Sequence, residues 1–310
     1  MCKVAIIPAI KKPSLTATFI KHLGARMSIG NNDGLGYAAI NESGELFGER
    51  WFVNSDAFIN QKEEKPNAAL MSWGKALKTL PAVTSKYNKF GTGDLLDAKA
   101  ITLHTRMATC EKNLNNVHPF VDEDTSVIHN GVIRNDHEFD LKLSTCDSES
   151  ILISYLENGV NKDITSVQDM VDALQGYYAC GVFSRDNEGN RILDVFKHNN
   201  NNLVISFINE LETYVLTSSA LDIKMVCDMM KLTYTEPIDI ENNFITRLQP
   251  FTGEVIEQAT FTNPVFTTQA HTYPKSTYEG YNVYNPAAKK VNPEMVKLWM
   301  LPSSISEIHD

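Results

Sequence analysis

The sequence predicts a mixed fold of strands and helices, α+β in class. Three observations point there: short apolar runs bounded by turn residues, two pairs of runs flanking hairpin turns, and stretches whose apolar residues recur at helical spacing. Residues 4–7 (VAII) read as a buried strand, and 13–27 as a helix with Pro13 in its first turn. Strands at 37–40 and 45–52 flank the turn NESG. Residues 53–98 are polar, with turn-rich ends and one amphipathic helix near 68–80, and read as an insertion. Apolar strands follow at 100–103 and 126–129, then helices near 148–157 and 167–174. A second hairpin joins 178–184 to 191–197 across RDNEGN, and further strands read at 203–207, 214–217, 244–248 and 254–258. Residues 263–310 are rich in Tyr, Asn, Pro and Thr without periodicity and read as an extended tail.

Composition narrows the function classes. At 310 residues the chain can hold one large domain or two ordinary ones, and its 43% hydrophobic and 21% charged content is that of a globular protein. A net charge of −10 argues against a nucleic-acid binder, which carries a basic stripe. No stretch of apolar residues is long enough to span a membrane. The apolar run at 4–10 is too short for a signal peptide, so a reducing, cytoplasmic setting is expected. The five cysteines (2, 110, 146, 180 and 227) fall in no CxxC spacing and read as free thiols. His104, His118, His129 and His137 are spaced 14, 11 and 8 apart, without a close ligand pair, so no metal and no cofactor are expected. GTGDLL at 91–96 is a lone Gly pair and makes no phosphate cradle.

Four stretches carry candidate chemistry, and each has a plain structural alternative. Cys2 is either a small residue opening a buried strand or a nucleophile at the terminus exposed by removal of Met1. Arg106 in HTRMAT stands at or just past a strand end, where it forms either an ordinary salt bridge or a bidentate clamp for a carboxylate. Asn130-Gly131 in SVIHNGVIRN is either a hairpin turn or an oxyanion hole built from the Asn130 amide and the Gly131 N–H. Asp147 precedes a helix with the apolar face Ile151, Leu152, Tyr155 and Leu156, and is either its N-cap or a partner for a ligand ammonium.

Taken together and in order, Met1-Cys2, HTRMAT (104–109), NNVHPF (115–120), HNG (129–131) and CDSES (146–150) resemble one family. It is the class II glutamine amidotransferases of the N-terminal-nucleophile hydrolase superfamily. The look is of the glutaminase domains of glucosamine-6-phosphate synthase and amidophosphoribosyltransferase, and more so of compact stand-alone members that share NNDGLGYAAI (31–40). The resemblance runs to about residue 260, through VLTSSALDI (215–223) and ITRLQPFTGEV (245–255). It implies a four-layer αββα sandwich with Cys2 leading a central strand, a glutaminase domain over 2–262, and the tail beyond it.

The implied chemistry explains the odd position of Cys2. A thiol nucleophile needs a base near neutral pH. An α-amine with a pKa near ~7.7–8 is about a quarter neutral at pH ~7.4, far more than a lysine is. By the resemblance, Arg106 takes the α-carboxylate of glutamine, Asp147 its α-ammonium, and Thr109 adds a hydrogen bond. Cys2 attacks the amide, Asn130 and Gly131 hold the oxyanion, and water then cleaves the γ-glutamyl thioester. Two departures stand out. Met107-Ala108-Thr109-Cys110 replaces the Trp-Ala-Thr-His of the sugar-phosphate synthases, and no acceptor-activating motif follows the glutaminase part. Ammonia is therefore expected to pass to a separate synthetase or acceptor-activating protein, with 53–98 and 263–310 as docking candidates for it or for a homodimer mate. Two other readings remain: an N-terminal-nucleophile amidase acting on another amide, and a non-catalytic module that keeps the fold.

Overall fold

The computed structural model describes residues 2–31, 33–53, 84–122, 124–141, 143–157, 163–198 and 201–262. The expected helix near 68–80 and the tail 263–310 lie outside them, as does most of the stretch read as an insertion. From that stretch, Thr84–Phe90 is described as a strand.

Among the described residues, fourteen strands form two antiparallel sheets. The first holds β1 (Lys3–Ile7), β2 (Gly34–Ile40), β3 (Leu46–Val53), β4 (Thr84–Phe90), β5 (Ala100–Arg106), β10 (Val204–Ile208), β11 (Thr213–Thr217) and β12 (Ile238–Asp239). Their order is β12-β10-β11-β1-β5-β2-β3-β4, which puts the amino-terminal strand in the middle. The second runs β14-β13-β9-β8-β7-β6, with β6 Phe120–Asp122, β7 Thr125–Ile133, β8 Gly176–Arg185, β9 Arg191–His198, β13 Phe244–Leu248 and β14 Val255–Thr260.

The described residues also hold four α-helices: α1 (Pro13–Met27), α2 (Glu149–Glu157), α3 (Ile164–Ala173) and α4 (Ala220–Met230). Pro13 starts α1, where its missing N–H costs nothing, and Phe19, Ile20, Leu23 and Met27 form its buried face. Ser219 caps α4 by accepting from the Asp222 N–H, and Asp163 caps α3 from Ser166. Helix α4 has no counterpart in the sequence expectations, although its capping serine is a legible signal.

Three apolar clusters follow from the period-two alternation of the strands. Ala5 and Ile7 join Leu35, Leu103, α1 and α4. Val4 and Ile6 face the other way, meeting Ile128, Ala179 and Phe183 of the second sheet. The far side of that sheet, with Val127, Tyr178 and Phe196, packs on Ile151, Leu152 and Tyr155 of α2 and Val167 and Val171 of α3. Leu156, expected on the buried face of α2, is instead 38% exposed.

One charged group sits inside this second helix-covered region. Asp194, fully buried, takes a bidentate fork from Arg247 at 2.8 and 3.0 Å and a hydrogen bond from the Tyr155 hydroxyl at 3.1 Å. Removing one side of such a pair strands the other charge. Asp194→Ala should therefore cost about 3–5 kcal/mol in urea unfolding, and Asp194→Leu with Arg247→Met should recover most of it. Equal losses in the single and double variants would contradict the pairing.

Candidate functional site

The site follows from strand register. Antiparallel pairing sets Lys3 opposite Thr105 and Val4 opposite His104, so one step further Cys2 stands opposite Arg106 at the end of β5. By alternation, Cys2 and Arg106 share the face that Val4 presents to the second sheet. The terminus is held there by its neighbours. Val4 N–H donates to Ser218 Oγ at 3.0 Å, Thr217 Oγ1 donates back to the Val4 carbonyl at 2.9 Å, and Lys3 pairs with buried Asp222 at 2.7 Å.

Cys2 is half-buried, and its thiol donates to the Met107 carbonyl at 3.5 Å. Burial pushes the thiol above its ordinary pKa and Asp147 adds to this, while the amino-terminal charge and Arg106 pull it down. Arg106 is 2% exposed and makes no strand-end salt bridge among the described residues. Its Nη2 donates to the Glu111 carbonyl at 2.9 Å, the Cys110 carbonyl at 3.4 Å and Cys110 Sγ at 3.3 Å. Its Nη1 is buried without a hydrogen-bond partner among the described residues. Thr109 lies exposed on the loop after β5.

Asn130 and Gly131 form no turn. Strand β7 runs through them to Ile133, with Asn130 opposite Ala179 and Gly131 opposite Tyr178. Gly131 has a φ of +148°, and a side chain there would meet the Tyr177 carbonyl 2.0 Å away, so only glycine fits. Asn130 Nδ2 donates to Asn201 Oδ1 at 3.3 Å, and Asn201 Nδ2 donates to the Asn130 carbonyl. Asp147 does not cap α2, which begins at Glu149. Its Oδ2 accepts from the Ile133 N–H at 2.6 Å and its Oδ1 faces Cys146 Sγ at 3.4 Å. Asp147 also acts electrostatically on Cys2, Cys110 and His129.

The structure thus gathers Cys2, Arg106 and Asp147, with Asn130 and Gly131 on the adjoining strand of the second sheet and Thr109 at the surface. Sequence reading passed over Asn201, Ser218 and Asn116. Each is an amide or hydroxyl joining segments far apart in the chain, and no local pattern marks it.

Three of the four histidines weighed and set aside as metal ligands meet at the seam between the sheets. His104 and His118 stack with ring centres 3.9 Å apart, and His118 lies 6.4 Å from His129. His104 Nε2 donates to the His129 carbonyl at 3.1 Å, and His129 Nδ1 bonds Ser148 Oγ at 2.8 Å. Gly36 lets the His118 carbonyl approach, since a side chain there would sit 2.1 Å from it. His137 is exposed. Among the described residues, no three His, Cys, Asp or Glu side chains are grouped to hold a metal ion.

No family model and no curated protein matches the chain. Solved structures do. A glutamine phosphoribosylpyrophosphate amidotransferase from B. subtilis, complexed with ADP and GMP, aligns with 84% of this chain and 49% of its own at 16% identity, with a TM-score of 0.53. An enzyme described as the allosteric regulatory enzyme of purine biosynthesis aligns with 86% of this chain and 50% of its own at 15% identity, again with a TM-score of 0.53. The chain spans about half the length of these neighbours, and the likeness is one of fold. No helix among the described residues is long and apolar enough to cross a membrane.

Burial lowers the pKa of all three seam histidines: His104 to about 3, with the His129 charge adding to the effect, His118 well below its usual value, and His129 less. They are neutral in the folded protein, whereas in the unfolded chain they titrate near ~6.5. Below pH ~6.5 the unfolded state binds more protons at each of these rings, so stability falls as the pH drops; for His104 that window reaches down to about 3, and one full proton of difference is worth about 1.4 kcal/mol per pH unit. Urea unfolding across that window should show the slope. His118→Phe, which keeps a stacked ring without a proton site, should reduce it by one histidine's share, and an unchanged slope would assign the dependence elsewhere.

Proposed function

We propose that the chain is a glutamine amidohydrolase of the class II amidotransferase type, with Cys2 as nucleophile after removal of Met1. The observation that carries the reading is the free, buried Nη1 of Arg106 beside Cys2, with the Asp147 carboxylate in the same cluster. A buried guanidinium nitrogen without a partner is costly unless a ligand completes it. A cation and a carboxylate flanking a thiol match the α-carboxylate and α-ammonium of a free amino acid. The layers are read as helix, sheet, sheet, helix, with Cys2 leading a central strand; the three apolar clusters support that order.

In this mechanism Arg106 pairs with the α-carboxylate and Asp147 with the α-ammonium, fixing the side-chain amide over Cys2, while Thr109 contributes a hydrogen bond. The buried thiol stays protonated at rest, so its proton passes to the α-amine of Cys2 as sulfur attacks the amide carbon. Asn130 Nδ2 and the Gly131 N–H receive the oxyanion. The amine then protonates the leaving nitrogen, ammonia departs, and water cleaves the thioester to glutamate. The ammonia goes to an acceptor-activating partner, for which the stretches 53–98 and 263–310 are docking candidates.

Purified protein should release ammonia and glutamate from glutamine, its amino-terminal mass should lack Met1, and Cys2→Ala should abolish turnover. Activity surviving in Cys2→Ala, or in protein that retains Met1, would overturn the nucleophile assignment.

Two further substitutions separate binding from chemistry. Arg106→Ala should raise KM for glutamine roughly 10²-fold by removing a charge-assisted pair. Asn130→Ala should lower kcat by about 10²–10³ with KM nearly unchanged. Comparable turnover of simple primary amides lacking an α-carboxylate would favour a general amidase instead.

A further inference from the structure

We propose that Cys110 and Cys146 form an oxidative modification site, a thiol pair that hydrogen peroxide converts to a disulfide and that thereby loosens Arg106. The consequence for Arg106 rests on the reading that this residue holds the α-carboxylate of glutamine.

The geometry begins with Asn116, which is fully buried. Its Nδ2 donates both to the Glu111 carbonyl at 2.8 Å and to Thr145 Oγ1 at 2.9 Å, and its Oδ1 accepts from the Thr145 N–H at 2.9 Å. Glu111 and Thr145 adjoin Cys110 and Cys146, so one amide side chain clamps together the two loops that carry the thiols. Cys110 packs against the apolar cluster that contains Cys146, and the two thiols act on each other's ionisation. Around them stand Arg106 Nη2, 3.3 Å from Cys110 Sγ, and Asp147 Oδ1, 3.4 Å from Cys146 Sγ.

The environment divides the labour between the sulfurs. The neighbouring Cys146 thiol and the Arg106 guanidinium, 3.3 Å from Cys110 Sγ, lower the Cys110 pKa against the effect of its partial burial, while the Cys110 thiol and burial raise Cys146. Cys110 is half-buried and open to a small oxidant, whereas Cys180 and Cys227 are buried and pushed up by burial. Cys110 is thus the attacking thiolate and Cys146 the resolving thiol.

The steps balance. Cys110 sulfur attacks one peroxide oxygen, the O–O bond breaks, and the departing hydroxide takes a proton to leave as water, giving a sulfenic acid. Cys146 sulfur then attacks Cys110 sulfur; the S–S bond forms, the S–OH bond breaks, and the hydroxide leaves with the Cys146 proton as a second water. Two thiols lose two electrons to one peroxide. As Cys110 turns toward Cys146, Arg106 Nη2 loses its sulfur contact and the loop carrying its carbonyl partners at 110 and 111 shifts.

The test uses full-length Cys2→Ala protein, in which the proposed nucleophile neither oxidises nor turns glutamine over. After hydrogen peroxide treatment, free thiols are alkylated, peptides are mapped, and glutamine binding is measured by calorimetry. The expected result is a peptide cross-linked through Cys110 and Cys146, with glutamine bound about tenfold more weakly and recovery on reduction. Adding Cys110→Ser should leave affinity unchanged by peroxide. Cys110 and Cys146 both remaining alkylatable after peroxide would overturn the site, and a disulfide formed at unchanged affinity would overturn its effect. Failure of the reduced protein to bind glutamine would overturn the glutamine reading and this consequence with it, while the disulfide stands or falls on the peptide map.

Discussion

The pairing of β1 with β5 is the constraint on which the site depends. Lys3 against Thr105 and Val4 against His104 fix a register in which Cys2 can only meet Arg106. A slip of one residue would turn Val4 and Ile6 out of the inter-sheet core and put Ala5 and Ile7 in their place. The apolar alternation of five residues therefore aims the Cys2 thiol. Strand β11 secures the other edge of β1 with Ala5 opposite Thr217, and the Thr217 and Ser218 hydroxyls bind the backbone at Val4.

The same face of β5 carries the seam to the second sheet. His104 reaches across to the His129 carbonyl, and two positions later Arg106 presents its guanidinium at the end of that seam. On the opposing strand the residue after His129 is Asn130, so one inter-sheet hydrogen bond sets the height of Arg106 relative to the proposed oxyanion donors. Burial keeps the seam rings uncharged, and a neutral seam spares Arg106 a neighbouring cation. The Cys110 and Cys146 loops close the other side, bound to each other through Asn116 rather than through the sheets.

Much of the framework was legible because it is written in local patterns. Helix α1 coincides with the expected 13–27, since Pro13 and the spacing of Phe19, Leu23 and Met27 leave little choice. Eleven of the fourteen described strands lie where the apolar runs put them, apart from their ends; β4, β6 and β12 have no counterpart in the expectations. Strand β7 runs past the expected 129 to Ile133, because Asn-Gly here sits in a ladder with Gly131 at positive φ rather than in a turn. Helix α4 went unread, although Ser219 and Asp222 mark its start. In the candidate site, Cys2, Arg106 and Asp147 were singled out through the resemblance that their motifs carry in order, not by any one motif alone. Asn201 pairs with Asn130 across 71 positions, and Asn116 with Thr145 across 29, which no sequence window spans.

The central claim is that glutamine is opened covalently by the thiol of Cys2. Its most direct test is an acid quench of the protein during turnover, followed by peptide mass mapping for a γ-glutamyl group. The account predicts the adduct as a thioester on an amino-terminal Cys2 peptide that lacks Met1, with the signal vanishing as glutamine is exhausted. Glutamate accumulating with no adduct on Cys2, or an adduct carried on any other residue, would contradict it.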